Sequence, residues 1–292
     1  MYELIQIKNN TYYIESPAKI GLVKLNDTDV VLIDSGNDKD AGKKVLKHIE
    51  SNGWTLRAIY NTHSNADHIG GNAFLQSRTG CKIYAPGIEC AFTRHPILEP
   101  AFLLGAYPMS ELRHKFLLAQ ESDALPLTQD ALPDGFEIIP LPGHFFDMVG
   151  FRTPDDVVFL ADCLSGEDTI NKYKIGFIYD VASYLSTLSS VMQIKADHFV
   201  PSHARVTGDI SLLAKINIDN TVAISEHILS LCDAPSTFEQ ILKKVFDTLS
   251  LTMTFEQYVL VGSTVRSYLS YLKEQGKIKA YIDDNTLLYH IL

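Results

Sequence analysis

Cysteine is scarce in this chain: Cys81, Cys90, Cys163 and Cys232 are the only four in 292 residues, and none forms a CxxC pair. A thiolate zinc cage is built from such pairs, so that metal chemistry drops out. Few, scattered cysteines in a chain this long fit a reducing compartment. Long apolar runs are missing too. No stretch of about eighteen apolar residues occurs, which argues against a membrane span. The opening MYELIQIKNNTYYIE lacks the basic-then-apolar order of an export leader, so the expectation is a cytoplasmic protein. Positive charge is also short. With 25 Lys and Arg against 35 Asp and Glu the net charge is −10, and a nucleic-acid or anionic-membrane partner has no bulk electrostatic support.

What is present is an ordinary globular composition, 46% hydrophobic and 21% charged, with chain enough for one large or two ordinary domains. Short apolar runs at 4–7, 12–14, 20–25 and 30–33 read as strands split by turns such as Asn9-Asn10 and Asn26-Asp27-Thr28-Asp29. Asp38 to Glu50 reads as an amphipathic helix with Ala41, Val45, Leu46 and Ile49 on one stripe, closed by Asn52-Gly53. A strand over 57–61, a helix over 70–77 and a strand over 82–85 follow. That alternation belongs to an α/β layer protein.

Residues 88–128 break the rhythm with Pro96, Pro100, Pro108 and Pro126 among Phe and Leu, and Ser110 to Ala119 is helix-capable. This apolar insertion reads equally as a pocket wall or as a packed helical hairpin. The β pattern returns at 137–141, and 149–153 pairs with 157–160, a strand ending at Ala161-Asp162. A helix over 179–194 leads to a short strand, 198–203. From Asp209 the pattern becomes three helices, 210–231, one begun by a capping box at Ser236 to Glu239, and 255–274, then a β pair around Ile282 to Asn285. That order is winged-helix-like. The division expected is 1–208 and 209–292.

The chemistry concentrates in Thr62 to Asn72, THSNADHIGGN, directly after an apolar strand. His63, Asp67 and His68 on one turn are how a chain gathers several metal ligands. Without a cation they would place polar groups where the strand pattern predicts burial. Asp34, His144, Asp162 and His203 also end strand-like runs, and α/β folds build sites at such an edge.

These residues resemble the metallo-β-lactamase fold superfamily of metal-dependent hydrolases over roughly residues 1–208. Asp34 in LIDSG, THSNADH against H-x-H-x-D-H, His144 in LPGH, Asp162 in LADC and His203 in PSH match its motifs in order. The resemblance implies an αββα sandwich with the helical insertion and the winged-helix-like tail attached. It implies one metal on His63 and His144, a second on Asp67, His68 and His203, and Asp162 bridging them. Asp67 would also orient the attacking water, and Asp34 would hydrogen-bond the histidine loop. Asn65 is the departure, a neutral amide where the motif has its second histidine, and it weakens the first site. Some proteins of similar fold place a carboxylate there and bind iron. One or two divalent ions are therefore expected, zinc first, with iron or manganese as alternatives.

The implied activity is attack by a metal-bound hydroxide on a small ester-like carbonyl, a thioester being favoured. The alternatives are a phosphodiesterase or nuclease, an iron-based redox protein, and a non-catalytic binding protein. Weaker candidates are Cys163 as a metal contact, His95, His114 and Asp147 near the pocket, and Tyr173 and Lys174 in a loop facing substrate. From Ile210 onward seven basic side chains stand against nine acidic ones, and helix 255–274 carries only Arg266 and Lys273 as cations. Nucleic acid is a poor fit to that footprint, so packing or a homodimer is the expected role of the tail. The expected partner of the site is a small molecule.

Overall fold

The computed structural model describes residues 2–292. Four strands open it as an antiparallel meander: β1 (Leu4–Lys8), β2 (Thr11–Ile14), β3 (Ile20–Lys24) and β4 (Asp29–Ile33). β3 and β4 are buried at nearly every position, as their unbroken apolar runs require of central strands. At Asp34 the backbone turns left-handed, φ 63°. Helix α1 (Lys39–Ser51) then begins with the Asp38 side chain accepting from the Ala41 amide and buries its apolar stripe. β5 (Thr55–Tyr60) lies parallel to β4. Two short helices, α2 (Ala66–Ile69) and α3 (Asn72–Thr79), lead to β6 (Lys82–Ala85), parallel to β5.

The insertion contains α4 (Glu89–Arg94), α5 (Leu98–Leu104) and β7 (Ala124–Pro126). Ser110 to Ala119 is not the expected helix; only one 3₁₀ turn forms, at Ser110–Leu112. The segment instead rejoins the sheet as its seventh and last strand, β7, beside β6. At that edge Pro126 forfeits no ladder hydrogen bond.

A second sheet follows, β8 (Glu137–Pro140), β9 (Val149–Arg152) and β10 (Val157–Ser165), then α6 (Glu167–Tyr173), α7 (Val181–Val191) and β11 (His198–His203), in the order β11-β10-β9-β8. Between the sheets, Val31, Ile33 and Tyr60 of the first meet Phe151, Phe159 and Val200 of the second. They approach so closely at Gly21 that a Cβ there would sit 2.7 Å from the Phe159 ring. Val45, Ile49 and Leu75 cover the outer face of the first sheet, and Leu188 of α7 covers that of the second. The result is the expected helix–sheet–sheet–helix sandwich.

The remaining chain forms α8 (Ser211–Ser230), α9 (Phe238–Thr248), α10 (Phe255–Glu274) and the hairpin β12 (Ile278–Asp283) and β13 (Thr286–Ile291). The capping box of α9 lies one residue later than expected, joining Thr237 to Gln240. The hairpin turn is the tight pair Asp284-Asn285, both at positive φ, as a type I′ turn demands. Ile224, Ile228, Leu242, Val265 and Leu269 share one core with Val158 and Leu160 of the second sheet and Leu188 of α7. Val259 of α10 packs on Leu103, Leu112 and Leu117 of the insertion. Among the described residues no helix is long and apolar enough to cross a membrane.

Candidate metal centre

The two sheets deliver their polar residues to one edge. Thr62 and His63 follow β5, and Asn65 to His68 sit on the entry to α2. The Gly70-Gly71 pair lets that turn press against the chain after β4, where a Cβ on Gly70 would lie 2.3 Å from the Asn37 backbone. His144 follows Gly143, whose φ of 122° and contact with the Tyr184 backbone exclude a side chain. β10 does not end at Asp162 as the sequence suggests. It slips register between Phe159 and Ala161, with Ala161 at φ 50°, and continues to Ser165. That bulge re-aims Asp162 toward the histidines. His203 ends β11.

The hydrogen bonds fix which ring nitrogen of each histidine is free. His144 Nδ1 donates to the Phe177 carbonyl at 3.0 Å and His203 Nδ1 to the Pro17 carbonyl at 2.9 Å. His68 Nδ1 donates to Asp34 Oδ2 at 2.8 Å. Thr62 Oγ1 gives its proton to Asp34 Oδ2, 2.8 Å, so it accepts from His63 Nδ1 at 2.9 Å. In the neutral rings, all four Nε2 atoms therefore keep lone pairs, and these converge.

They converge on further acceptors. His68 Nε2 faces Asp162 Oδ1 at 3.1 Å, and His203 Nε2 faces Asp162 Oδ2 at 3.0 Å and Asp67 Oδ2 at 3.4 Å. His63 Nε2, His68 Nε2 and Asp162 Oδ1 are buried without a hydrogen-bond partner. Lone pairs facing lone pairs in a buried site are stable only with positive charge between them. Two groups satisfy the geometry of a cation site, Asp67–His68–Asp162–His203 and His63–His144–Asp162, each with its ligand atoms within 4.8 Å of one another. The residues fit divalent cations, and Asp162 belongs to both groups.

Protons respond to the same field. Burial disfavours the charged form of His203, yet Asp162 and Asp67 push its pKa up to about 10. Burial likewise works against a charged His68, and Asp162, Asp67 and Asp34 override it, raising its pKa well above the usual range. Burial and the neighbouring His68 hold His63 well below it. Burial lowers His144 as well. His63 and His144 thus offer neutral imidazoles at their site, while a cation at the other site would take the place that protons fill on His68 and His203.

Asp34, His63, Asn65, Asp67, His68, His144, Asp162 and His203 come together here, whereas His114 of the weaker candidates lies half-buried beside Phe116 of the insertion. Asp34 accepts from the Thr62 amide, the Thr62 hydroxyl and His68, and so orients both histidines of the turn. Asn65 turns its Oδ1 to His144 Nε2 at 3.1 Å and its Nδ2 to Glu99 Oε1 at 2.7 Å. Cys163 is buried beneath the strand. Asp147 holds the Ile88 amide, and His95 is exposed.

Two residues escaped the sequence reading. Glu99 on α5 holds Asn65, and Glu89 on α4 accepts from the Ser64 amide and hydroxyl and from the Asp147 amide. Both carboxyls are buried among apolar neighbours. An isolated Glu within an apolar helix, ECAF and LEPAF, is the signal that could have found them.

A cavity of about 550 Å³ opens onto Asp162, His144 and His203. Ile170, Ile175 and Phe177 form one side, Phe116 of the insertion reaches its rim, and Ile224, Leu260 and Val261 of α8 and α10 form the other side. Tyr173 and Lys174 line it as expected, Lys174 at φ 63°. A larger groove of about 1220 Å³ touches His203 from outside, where it meets none of the other cation-facing side chains.

Residues 13–203 match the family model described as the metallo-beta-lactamase superfamily. Among curated proteins, the chain is 30% identical over 128 residues to a hydroxyacylglutathione hydrolase of Rhodopseudomonas palustris (strain BisB18), covering 44% of this chain and 41% of that one. The matches span between 16% and 41% of the length of these curated relatives. Two solved structures share the fold nearly end to end. A beta-lactamase domain protein from Burkholderia ambifaria superposes with TM-score 0.74 at 16% identity, covering 99% of this chain and 94% of that one. A metallo-beta-lactamase family protein from Thermus thermophilus gives 0.71 at 17%, covering 97% and 99%.

Proposed function

This chain belongs to the metallo-beta-lactamase superfamily, and from that premise we propose that it is a metal-dependent hydrolase of small ester-like substrates, with a thioester the favoured bond. The carrying observation is the cluster of four converging Nε2 lone pairs and the Asp67 and Asp162 carboxylates, of which His144, Asp162 and His203 open onto the 550 Å³ cavity. Bound divalent cations, zinc first among them, supply Lewis acidity that acidifies water and polarises a carbonyl oxygen.

The chain's own residues do the rest. Asp67, half-buried beside His203, would accept a hydrogen bond from an entering water and aim its lone pair. Ile170, Ile175, Ile224 and Leu260 shield an acyl chain from water and strengthen the polar interactions at the floor. The helices after residue 209 supply half of that wall, so their proposed role is substrate enclosure rather than nucleic-acid contact.

A thioester is favoured because the curated relatives are named for hydrolysing hydroxyacylglutathione, an acyl thioester, and because Ile170, Ile175, Phe177, Ile224 and Leu260 put apolar surface beside the polar part of the lining. A phosphodiester or polyanion finds little here: the lining carries one lysine, Lys174, opposed by Glu256. The test is a panel of S-acylglutathiones, acyl-coenzyme A esters and bis(p-nitrophenyl) phosphate, each before and after chelation. Thioester cleavage that chelation abolishes and zinc restores is expected; phosphodiester cleavage with every thioester inert overturns the reading.

A further inference from the structure

The amide of Asn65 has one donor end and one acceptor end, and the structure assigns each. Its Nδ2 donates to Glu99 Oε1 at 2.7 Å, inside the protein. Glu99 is only 4% exposed. With the donor end consumed, the Asn65 oxygen points to the edge of the His63–His144–Asp162 group and lies 3.1 Å from His144 Nε2. The ring proton of His144 is on Nδ1, at the opposite side of the imidazole, and is given to the Phe177 carbonyl, so Nε2 presents a lone pair. Two lone pairs at this distance repel unless a positive charge lies against both.

We propose that Glu99 is a positioning residue: it locks the Asn65 amide so that Oδ1 becomes the fourth donor to a cation held by His63, His144 and Asp162. This rests on the metal-dependent reading above. The site then has two imidazole nitrogens and two oxygens, one of them neutral. Such a set suits manganese or ferrous iron better than an all-imidazole face does. The Asp67–His68–Asp162–His203 site keeps two carboxylates and is the tighter of the two for zinc. The two sites therefore fill in sequence, the Asn65 site second, and its occupancy depends on a residue of the insertion that touches no cation.

The experiment is a cobalt(II) titration of the apoprotein, read by visible absorption and by competition with a chromogenic chelator, which resolves two affinities without using activity. Glu99→Leu is expected to weaken the second binding event by about tenfold or more, the usual effect of losing a partner that orients a ligand, and to leave the first within about twofold. Glu99→Gln, which can still accept from Asn65, is expected to retain most of the wild-type affinity. In an Asn65→His background Glu99→Leu is expected to change neither event, because Glu99 acts only through the amide.

An equal loss in both backgrounds makes Glu99 merely structural and overturns the assignment. So does an unchanged second event in Glu99→Leu. Should Glu99→Leu fail to fold, Asn65→Asp and Asn65→Asp/Glu99→Gln replace it. The double variant restores donor to acceptor and is expected to bind the second ion more tightly than Asn65→Asp alone; no difference overturns the proposal. A wild-type chain that binds no cobalt at all sinks the metal-dependent reading itself, and the assignment with it.

Discussion

Asp34→Asn would perturb the candidate metal centre while replacing none of its cation-facing side chains. The backbone tolerates it, because Asn adopts the left-handed φ of 63° found at this position as readily as Asp does. The chemistry does not. Asp34 Oδ1 accepts the Thr62 amide, while Oδ2 accepts both the Thr62 hydroxyl and His68 Nδ1, all at 2.8 Å. An asparagine must keep its oxygen on the Thr62 amide, so its NH₂ replaces Oδ2. That NH₂ then donates to His68 Nδ1 and to Thr62 Oγ1, and Thr62 hands its own proton on to His63 Nδ1. Both rings are driven to the tautomer with the proton on Nε2, facing the cations. The opposite amide orientation sets NH₂ against the Thr62 N–H and costs about 1–3 kcal/mol for a buried unmet donor. Either way, cation affinity is expected to fall about 10–100-fold. The assay is competition with a chromogenic chelator, with thermal melting of the apoprotein as the control for folding. Wild-type affinity in a folded Asp34→Asn protein would refute the tautomer argument.

Asp67→Ala removes a charged donor from the Asp67–His68–Asp162–His203 group and is expected to abolish the tightest metal site, read as one ion fewer per chain by elemental analysis. Asn65→His supplies the missing imidazole and is expected to raise occupancy of the site on His63 and His144; unaltered stoichiometry would mean that residue 65 does not face the ions. Burial lifts the Glu89 carboxyl from 4.5 to about 7. Its folded pKa lies above its unfolded value, so its contribution to stability is full below about pH 4.5 and is lost as pH rises through about 7, on the order of 3 kcal/mol in all. Glu89→Gln should remove that slope from apoprotein melts between pH 5 and 8, and a parallel slope in the variant would contradict it. Gly70→Ala forces a Cβ to 2.3 Å from the Asn37 backbone, and a cost of about 1–3 kcal/mol or more in denaturant unfolding is expected.

The residues that meet at the centre were legible because cation chemistry restricts residue type and because most of the strands that lead to them are short, apolar and end in turns. Asp34, His63, His144 and His203 come from or just after such ends, Asp67 and His68 from the short helix that follows β5, and Asp162 from inside β10. Their assembly at one edge follows from a sandwich in which strand ends face one way. The rest depends on contacts that sequence periodicity does not encode. Glu89 and Glu99 look like ordinary helix carboxylates until the Ser64, Asp147 and Asn65 donors are brought to them from 58 and fewer positions away. The extension of β10 past Asp162 needs the bulge at Ala161, which no turn residue announces. Ser110 to Ala119 has helical composition, yet tertiary packing of Leu112 and Leu117 against Val259 holds most of it out of a helix. The place of α10 beside the cavity was likewise hidden, since its apolar positions fit a packed or a dimerising helix equally well.

On the metal-dependent reading proposed above, two cations would be held by the two groups that share Asp162, which lines the cavity. Anomalous diffraction from zinc-loaded crystals, recorded on either side of the zinc edge, tests it most directly. The account predicts two peaks, one among His63, His144, Asn65 and Asp162 and a stronger one among Asp67, His68, Asp162 and His203. Crystals of fully loaded protein with no peak at either group would contradict it.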